Sequence, residues 1–271
     1  MMRKILRNLP VALSFLLLAS LIVLSIIPGL YSNALTQNIM LSTTSPGTNG
    51  HLLGTDALGR DVFLLTLAGS RTALAGPIII AVLAMTIGLA FGLLAAYVGG
   101  WADWCISRII EIMLSLPTLL LAIVAAGVIG GGYWTNVMVF IVLYAPYDIR
   151  LIRSGALSHI HDPFLDAAKL LELRPARILA FHLFPVIRPL AGAELFLDMS
   201  NALVSLSSLS FLGLGISPQD ADWGRQLSDA RSLLFSNPMA AIAPGTAIIL
   251  TSIAMNVVGD WITEHGSRGE L

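Results

Sequence analysis

The chain has 271 residues, of which 56% are hydrophobic and 11% charged, with a formal net charge of −1 and a mean hydropathy of +0.84. Soluble domains run at roughly 45–50% apolar and about 25% charged, so this composition excludes an ordinary soluble protein and defines an integral membrane protein. The near-zero charge leaves no electrostatic footprint for nucleic acid, and the single Cys105 excludes an intrachain disulfide framework.

Six stretches are apolar for about 20 residues, the length a helix needs to cross lipid with its own backbone satisfied. They lie at about 10–30, 72–98, 104–130, 134–154, 186–209 and 239–261, which predicts an all-α membrane protein with six transmembrane helices. Arg3, Lys4 and Arg7 precede the first, as in a signal peptide. Its apolar run from Leu9 to Ile27 is longer than a usual signal core, however, and no small-residue cleavage site follows, so it reads as a retained anchor. The organisation is then residues 1–30, N-terminal end and anchor; 31–71, an external loop; and 72–271, a five-helix core.

Orientation follows from Lys and Arg in the short loops. With the N-terminus inside, Arg3, Lys4, Arg7, Arg108, Arg150, Arg153, Lys169, Arg174, Arg177, Arg188 and Arg268 fall inside, and Arg60, Arg71, Arg225 and Arg231 outside. Eleven against four places both termini in the cytoplasm.

In the external loop, Gly54, Thr55, Asp56, Gly59, Arg60 and Asp61 form a turn-rich polar patch leading into a short segment from Val62 to Ser70. Two readings stand side by side: a contact surface for a soluble partner, or residues that pin the loop by local hydrogen bonds. Further on, Glu111 sits three residues from Arg108 and is read as its ion-pair partner. His159 and His161 in HIHD tempt a metal reading, yet a cap-and-surface role suffices for them, and no resident metal is expected.

DAAKLLELRPARILAFHLFP, residues 166–185, is a compact charged block in an otherwise greasy chain. Asp162 followed by Pro163 predicts a helix start, with Asp162 as cap acceptor. Phe164, Ala167, Ala168 and Leu171 recur on one side, and Asp166, Lys169 and Glu172 on another. Pro175 ends this helix and opens a second through Leu183. The pattern fits an amphipathic loop on lipid headgroups or a docking element for a soluble partner.

On the fifth span Glu194 and Asp198 are four residues apart on one face, continued by Asn201, Ser205 and Ser208. Ionisable groups inside a span cost about 2.5–3.5 kcal/mol on insertion scales and usually face a cavity or a partner. The stripe is therefore either a cavity wall or a polar helix–helix contact. Gly213 and Gly215 let the chain turn back where this span ends.

The motifs now carry a resemblance. Asp166, Ala167, Ala168, then Ile178, His182 and Pro185 resemble the coupling loop of ABC importer permeases, here at about 160–185, with Asp in place of the family's leading Glu. HLLGTDALGRDVF (51–63), SFLGLGISPQDADWG (210–224) and the C-terminal NVVGDWI are similar to segments of the bacterial dipeptide, oligopeptide and nickel importer family. The family favours glycine where Glu172 stands, which predicts that the turn moves toward Arg174 and Pro175. The loop at 31–50 looks shorter than is common in the family.

That resemblance implies a type I importer permease fold with a cytoplasmic coupling helix, in the bacterial inner membrane. It implies a second homologous permease, two cytoplasmic ATPase subunits at Asp166, Ala167, Ala168, Lys169, Glu172, His182 and Pro185, and a substrate-binding protein at the external patch. It makes the Glu194–Ser208 stripe a candidate translocation path for nickel, metal chelates or small peptides. No G-x-x-x-x-G-K-[ST] loop is present, so ATP is left to another subunit and no cofactor is expected. H-E-x-x-H and G-x-S-x-G are absent too, against an enzyme. An ion-coupled secondary transporter is the alternative, although two related halves with broken helices are not evident.

Overall fold

The computed structural model describes residues 2–215 and 220–266. Arg268, and Ile216, Ser217, Pro218 and Gln219 of the 210–224 segment, lie outside the described residues, as do the side chains of Arg3, Lys4 and Arg7. In chain order the helices are α1 (Met2–Ile26), α2 (Val62–Ala68), α3 (Ser70–Val98), α4 (Gly100–Leu114), α5 (Thr118–Ile129), α6 (Tyr133–Leu157), α7 (Pro163–Leu170), α8 (Pro175–Ile178), α9 (Phe184–Phe211), α10 (Trp223–Asp229) and α11 (Met239–Gly266). Five spans are long and apolar enough to cross a bilayer: α1, α2 with α3, α6, α8 with α9, and α11.

The predicted third span is corrected to a bent pair. α4 and α5 meet at 81°, and counting them together raises the total to six crossings. The break lies at Ser115, Leu116 and Pro117, because proline pushes the residue before it out of helical geometry. α4 is held near the end of α6 by Arg153, whose guanidinium grips Asp103 through two bonds, Nη2 to Oδ2 at 2.6 Å.

α3 is the central post, packed against α6, α9, α4 and α1. Gly88 and Gly92, one helical turn apart, let α6 approach its backbone. A Cβ at Gly88 would lie 2.4 Å from Asp148 Cβ, and one at Gly92 would lie 2.9 Å from the Ile149 carbonyl oxygen. Higher up, the Tyr133 hydroxyl inserts into the ladder of α3 next to Pro77. It accepts from Gly76 N at 2.7 Å and donates to the Thr72 carbonyl. The side chain thus bridges the Gly76–Thr72 step of the helix ladder, one residue before the proline.

Among the described residues, three of the apolar clusters join the long helices. One joins α1, α3, α9 and α11 through Leu18, Leu74, Leu203 and Met255. A second joins α3, α5, α6 and α9 around Phe140. The third binds α7 and α8 to the bundle through Leu165, Ala168 and Ile178 against Met85, Leu93 and Ile152. At the opposite end Trp223 is buried and donates from Nε1 to the Thr66 carbonyl at 2.7 Å, tying α10 to α2.

Candidate functional site

The turn after α7 is the first site. α7 starts at Pro163 as expected, but Asp162 makes no side-chain cap bond. Its carboxylate instead faces His159 Nδ1 at 2.8 Å. The expected shift of the turn is also corrected, since Glu172 itself adopts the left-handed conformation, with φ +53°. Its N–H bonds the Lys169 carbonyl at 2.9 Å, and the Leu173 N–H bonds the Ala168 carbonyl at 3.3 Å. That is a Schellman turn with glutamate in the glycine position, at a strain cost of about 1 kcal/mol.

The two faces of α7 also differ from the pattern read above. Leu165 and Ala168 point into the bundle, whereas Phe164, Asp166, Ala167, Leu170, Leu171 and Glu172 are exposed. Leu170 and Leu171 are 84% and 73% exposed, and Phe181, further along the chain, is 73% exposed. Lys169 Nζ lies 3.1 Å from Asp166 Oδ1. His182 is half-buried within a π-helical stretch, Leu179–Leu183, that joins α8 to α9. This stretch directly precedes Pro185, which lacks the N–H that would reach back to the Phe181 carbonyl.

The Gly54–Asp61 patch is built inward. Gly54, Thr55, Asp56, Gly59 and Arg60 are all buried and Asp61 half-buried. Asp56 accepts from the backbone N–H of Leu58 and Arg60 at 2.9 and 2.8 Å, and from Arg60 Nε at 2.6 Å. Arg60 reaches Asp229 at 3.6 Å. Asp61 caps α2 through Leu64 N at 2.9 Å and meets His51 Nδ1 at 2.6 Å. Thr55 Oγ1 accepts from Thr44 N at 2.8 Å, and its carbonyl accepts from Asn237. Exposure falls instead on Met40, Ile39 and Leu52. Nearby, Asp222 caps α10 through Arg225 N at 2.8 Å; burial raises its carboxyl above the ordinary range despite that bond.

The stripe on α9 opens onto a cavity of about 370 Å³ lined by Thr118, Tyr144, Tyr147, Glu194, Asp198, Asn201 and Ser205 among others. Ser205 lies 3.2 Å from the Tyr144 hydroxyl, and Thr118 lies 3.2 Å from that of Tyr147. Ser208 is not part of it: it borders a neighbouring groove with Phe211 and Leu227, and its hydroxyl donates to the Val204 carbonyl at 2.8 Å. Sequence reasoning missed Asp148 on α6. Ligand oxygens of Asp148, Glu194 and Asp198 all lie within 4.8 Å of one another. The signal was an acid inside a predicted span.

The fold sets the class. It is similar to that of the inward-facing MetNI methionine ABC transporter, with TM-scores of 0.63 and 0.61 for two crystal forms at 16% and 17% identity. The first likeness covers 75% of this chain and 97% of that one. This is the all-helical architecture of a type I importer permease.

Residues 88–269 match the family described as binding-protein-dependent transport system inner membrane component, and the chain belongs to that family of ABC importer permeases. It is 36% identical over 220 residues to the glutathione transport system permease protein GsiD of Pectobacterium atrosepticum, covering 80% of this chain and 72% of that one. It is 33% identical to the dipeptide transport system permease protein DppC of Alkalihalophilus pseudofirmus, over 79% of this chain and 70% of that one. It is 32% identical to the nickel transport system permease protein NikC of Escherichia coli K12, over 79% and 78%. Membership makes it a multi-pass inner-membrane protein and implies ATPase and substrate-binding-protein partners. The ion-coupled alternative is set aside on the same ground.

Proposed function

We propose that this chain is the non-catalytic half of a transmembrane pathway that it completes with a second, homologous permease. Two cytoplasmic ATPase subunits dock on the Asp166–Pro185 turn, and their closure on ATP tilts α9 and switches the cavity from outward to inward access. A substrate-binding protein docks on the external loop, whose shape Gly54, Thr55, Asp56, Gly59, Arg60 and Asp61 fix from within. Cargo passes Ser205, Asn201, Asp198 and Glu194, with Ser208 beside the outer end of that stripe. Nickel or a metal chelate and a small peptide are both compatible with these carboxylates, since one offers a metal cation and the other an ammonium group.

The observation that carries the docking reading is the exposed pair Leu170 and Leu171, with Asp166 and Glu172 exposed on either side in the chain. Apolar side chains flanked by charge are what a protein partner buries. Replacing Leu170 and Leu171 together with Asp leaves the packed face of α7 intact and is expected to cut ATPase recovery in pull-downs by about tenfold or more. Recovery at the wild-type level would end the docking assignment. Ala168 is unsuitable for this test, because it is buried and its replacement disrupts the bundle. Elemental analysis and mass spectrometry of cargo retained by the cognate binding protein distinguish metal from peptide.

A further inference from the structure

Asp148 and Asp198 differ from the other acidic groups described above in holding buried carboxylate oxygens that no donor reaches, and the half-buried Glu194 stands beside them. Asp148 is fully buried, and neither of its carboxylate oxygens has a hydrogen-bond partner. Asp198 is 3% exposed, and its Oδ2 is also without one. Both are buried, where an unpaired charge is costly and a bound ion or water can supply the missing partner. The backbone makes room for this arrangement, since only a glycine at position 88 lets α3 lie against Asp148 Cβ.

The spacing is that of a shared ligand. Oxygens bound to one divalent ion at about 2.0–2.6 Å lie no more than about 5 Å apart, and the three carboxylates meet that condition. They come from two different helices, so the site exists only in the folded bundle. The cluster contains oxygen donors alone, without imidazole or thiolate, which suits a hard divalent cation over a soft one. Glu194 and Asp198 also line the cavity, where the hydroxyls of Thr118, Tyr144, Tyr147 and Ser205 and the amide of Asn201 can hold the remaining waters of such an ion.

We infer that Asp148, Glu194 and Asp198 form a binding site for a hard, partly hydrated divalent metal ion at the wall of the cavity. Asp148 is the innermost ligand and Glu194 the one nearest the opening. The transport consequence, a cation held in transit, rests on the reading of this cavity as the pathway; binding itself does not.

The test uses the assembled transporter, with both permeases and its ATPase subunits, in lipid nanodiscs. Mn²⁺ is titrated in and the loss of its free electron paramagnetic resonance signal counted per complex, with Mg²⁺ and Ni²⁺ as competitors. Wild type is expected to take up Mn²⁺ at this site. Asp148→Asn and Glu194→Gln are each expected to weaken that uptake by about tenfold or more, in complexes that elute intact on size exclusion. Glu194→Gln changes a half-buried group at the rim and keeps the test alive should Asp148→Asn fail to assemble. Absence of stoichiometric Mn²⁺ binding, or binding equal in all the variants, overturns the inference. So does a protonated-carboxyl infrared band in wild type that vanishes in Asp148→Asn and ignores Mn²⁺, because that assigns the cluster a shared proton. Failure on either count leaves ATPase docking, read by recovery of the complex, untouched.

Discussion

Two buried acidic clusters in this protein are built on opposite plans. Around Asp56, two backbone amides and the Arg60 guanidinium converge on one carboxylate, and Arg60 continues to Asp229. Around Asp148, two more carboxylates approach, and no donor does. A satisfied buried charge holds a shape, whereas an unsatisfied one holds a place for something that is bound and released. The sequence alone leaves the second cluster incomplete, since Asp148 lies far in the chain from Glu194 and Asp198.

The contrast can be broken at either end. The largest effect is expected from Arg60→Ala, which strands Asp56 in the interior of the loop and should cost about 3–5 kcal/mol, read as lost folded yield and earlier thermal unfolding in detergent. Asp61→Ala removes the cap of α2 together with the partner of His51, and a loss of about 1–2 kcal/mol is expected in the same assay. Asp148→Asn should sit at the far end of the series, with thermal stability in chelator equal to wild type or higher, because it removes an unpaired charge. A loss as deep as that of Arg60→Ala would mean that Asp148 is structural after all. Asp198→Asn sharpens the point through function: uptake into vesicles is expected to fall while assembly persists, and normal uptake would reduce the α9 stripe to helix packing.

Much of this was legible. Apolar length alone located the spans, and the spacing of Glu194 and Asp198 placed both on one helix face that does open on a cavity. The ion pair of Arg108 with Glu111, at 2.6 Å, followed from spacing as well. What escaped notice depended on tertiary approach. The break at Pro117 was hidden inside a continuous apolar run, where composition reports length and not direction. Asp148 was screened by Arg150 and Arg153, which make its part of α6 read as the polar end of a span, and only the close approach of α3 shows how deep it lies. At Glu172 a residue preference pointed away from the turn that forms. The same hydrogen-bond pattern closes α9 with Gly213 at φ +83°, the residue that fits it without strain. Packing of Leu165 and Ala168 against the bundle fixes where α7 must end, and Glu172 accepts the conformation that results.

From Pro175 to Phe211 the chain runs as one helical rod with a single widened turn at Leu179–Leu183. Asp198 therefore lies about 35 Å along the axis from Pro175, at 1.5 Å per residue. A rod transmits angle as faithfully as displacement, and the π turn sets its phase. Deleting one residue within Leu179–Leu183 would rotate everything beyond it by about 100°, carrying Glu194 and Asp198 away from Asp148 while leaving each of the three residues in place in the sequence. In that sense the width of one turn near the α7–α8 end is the timing mark that keeps the carboxylates facing one another.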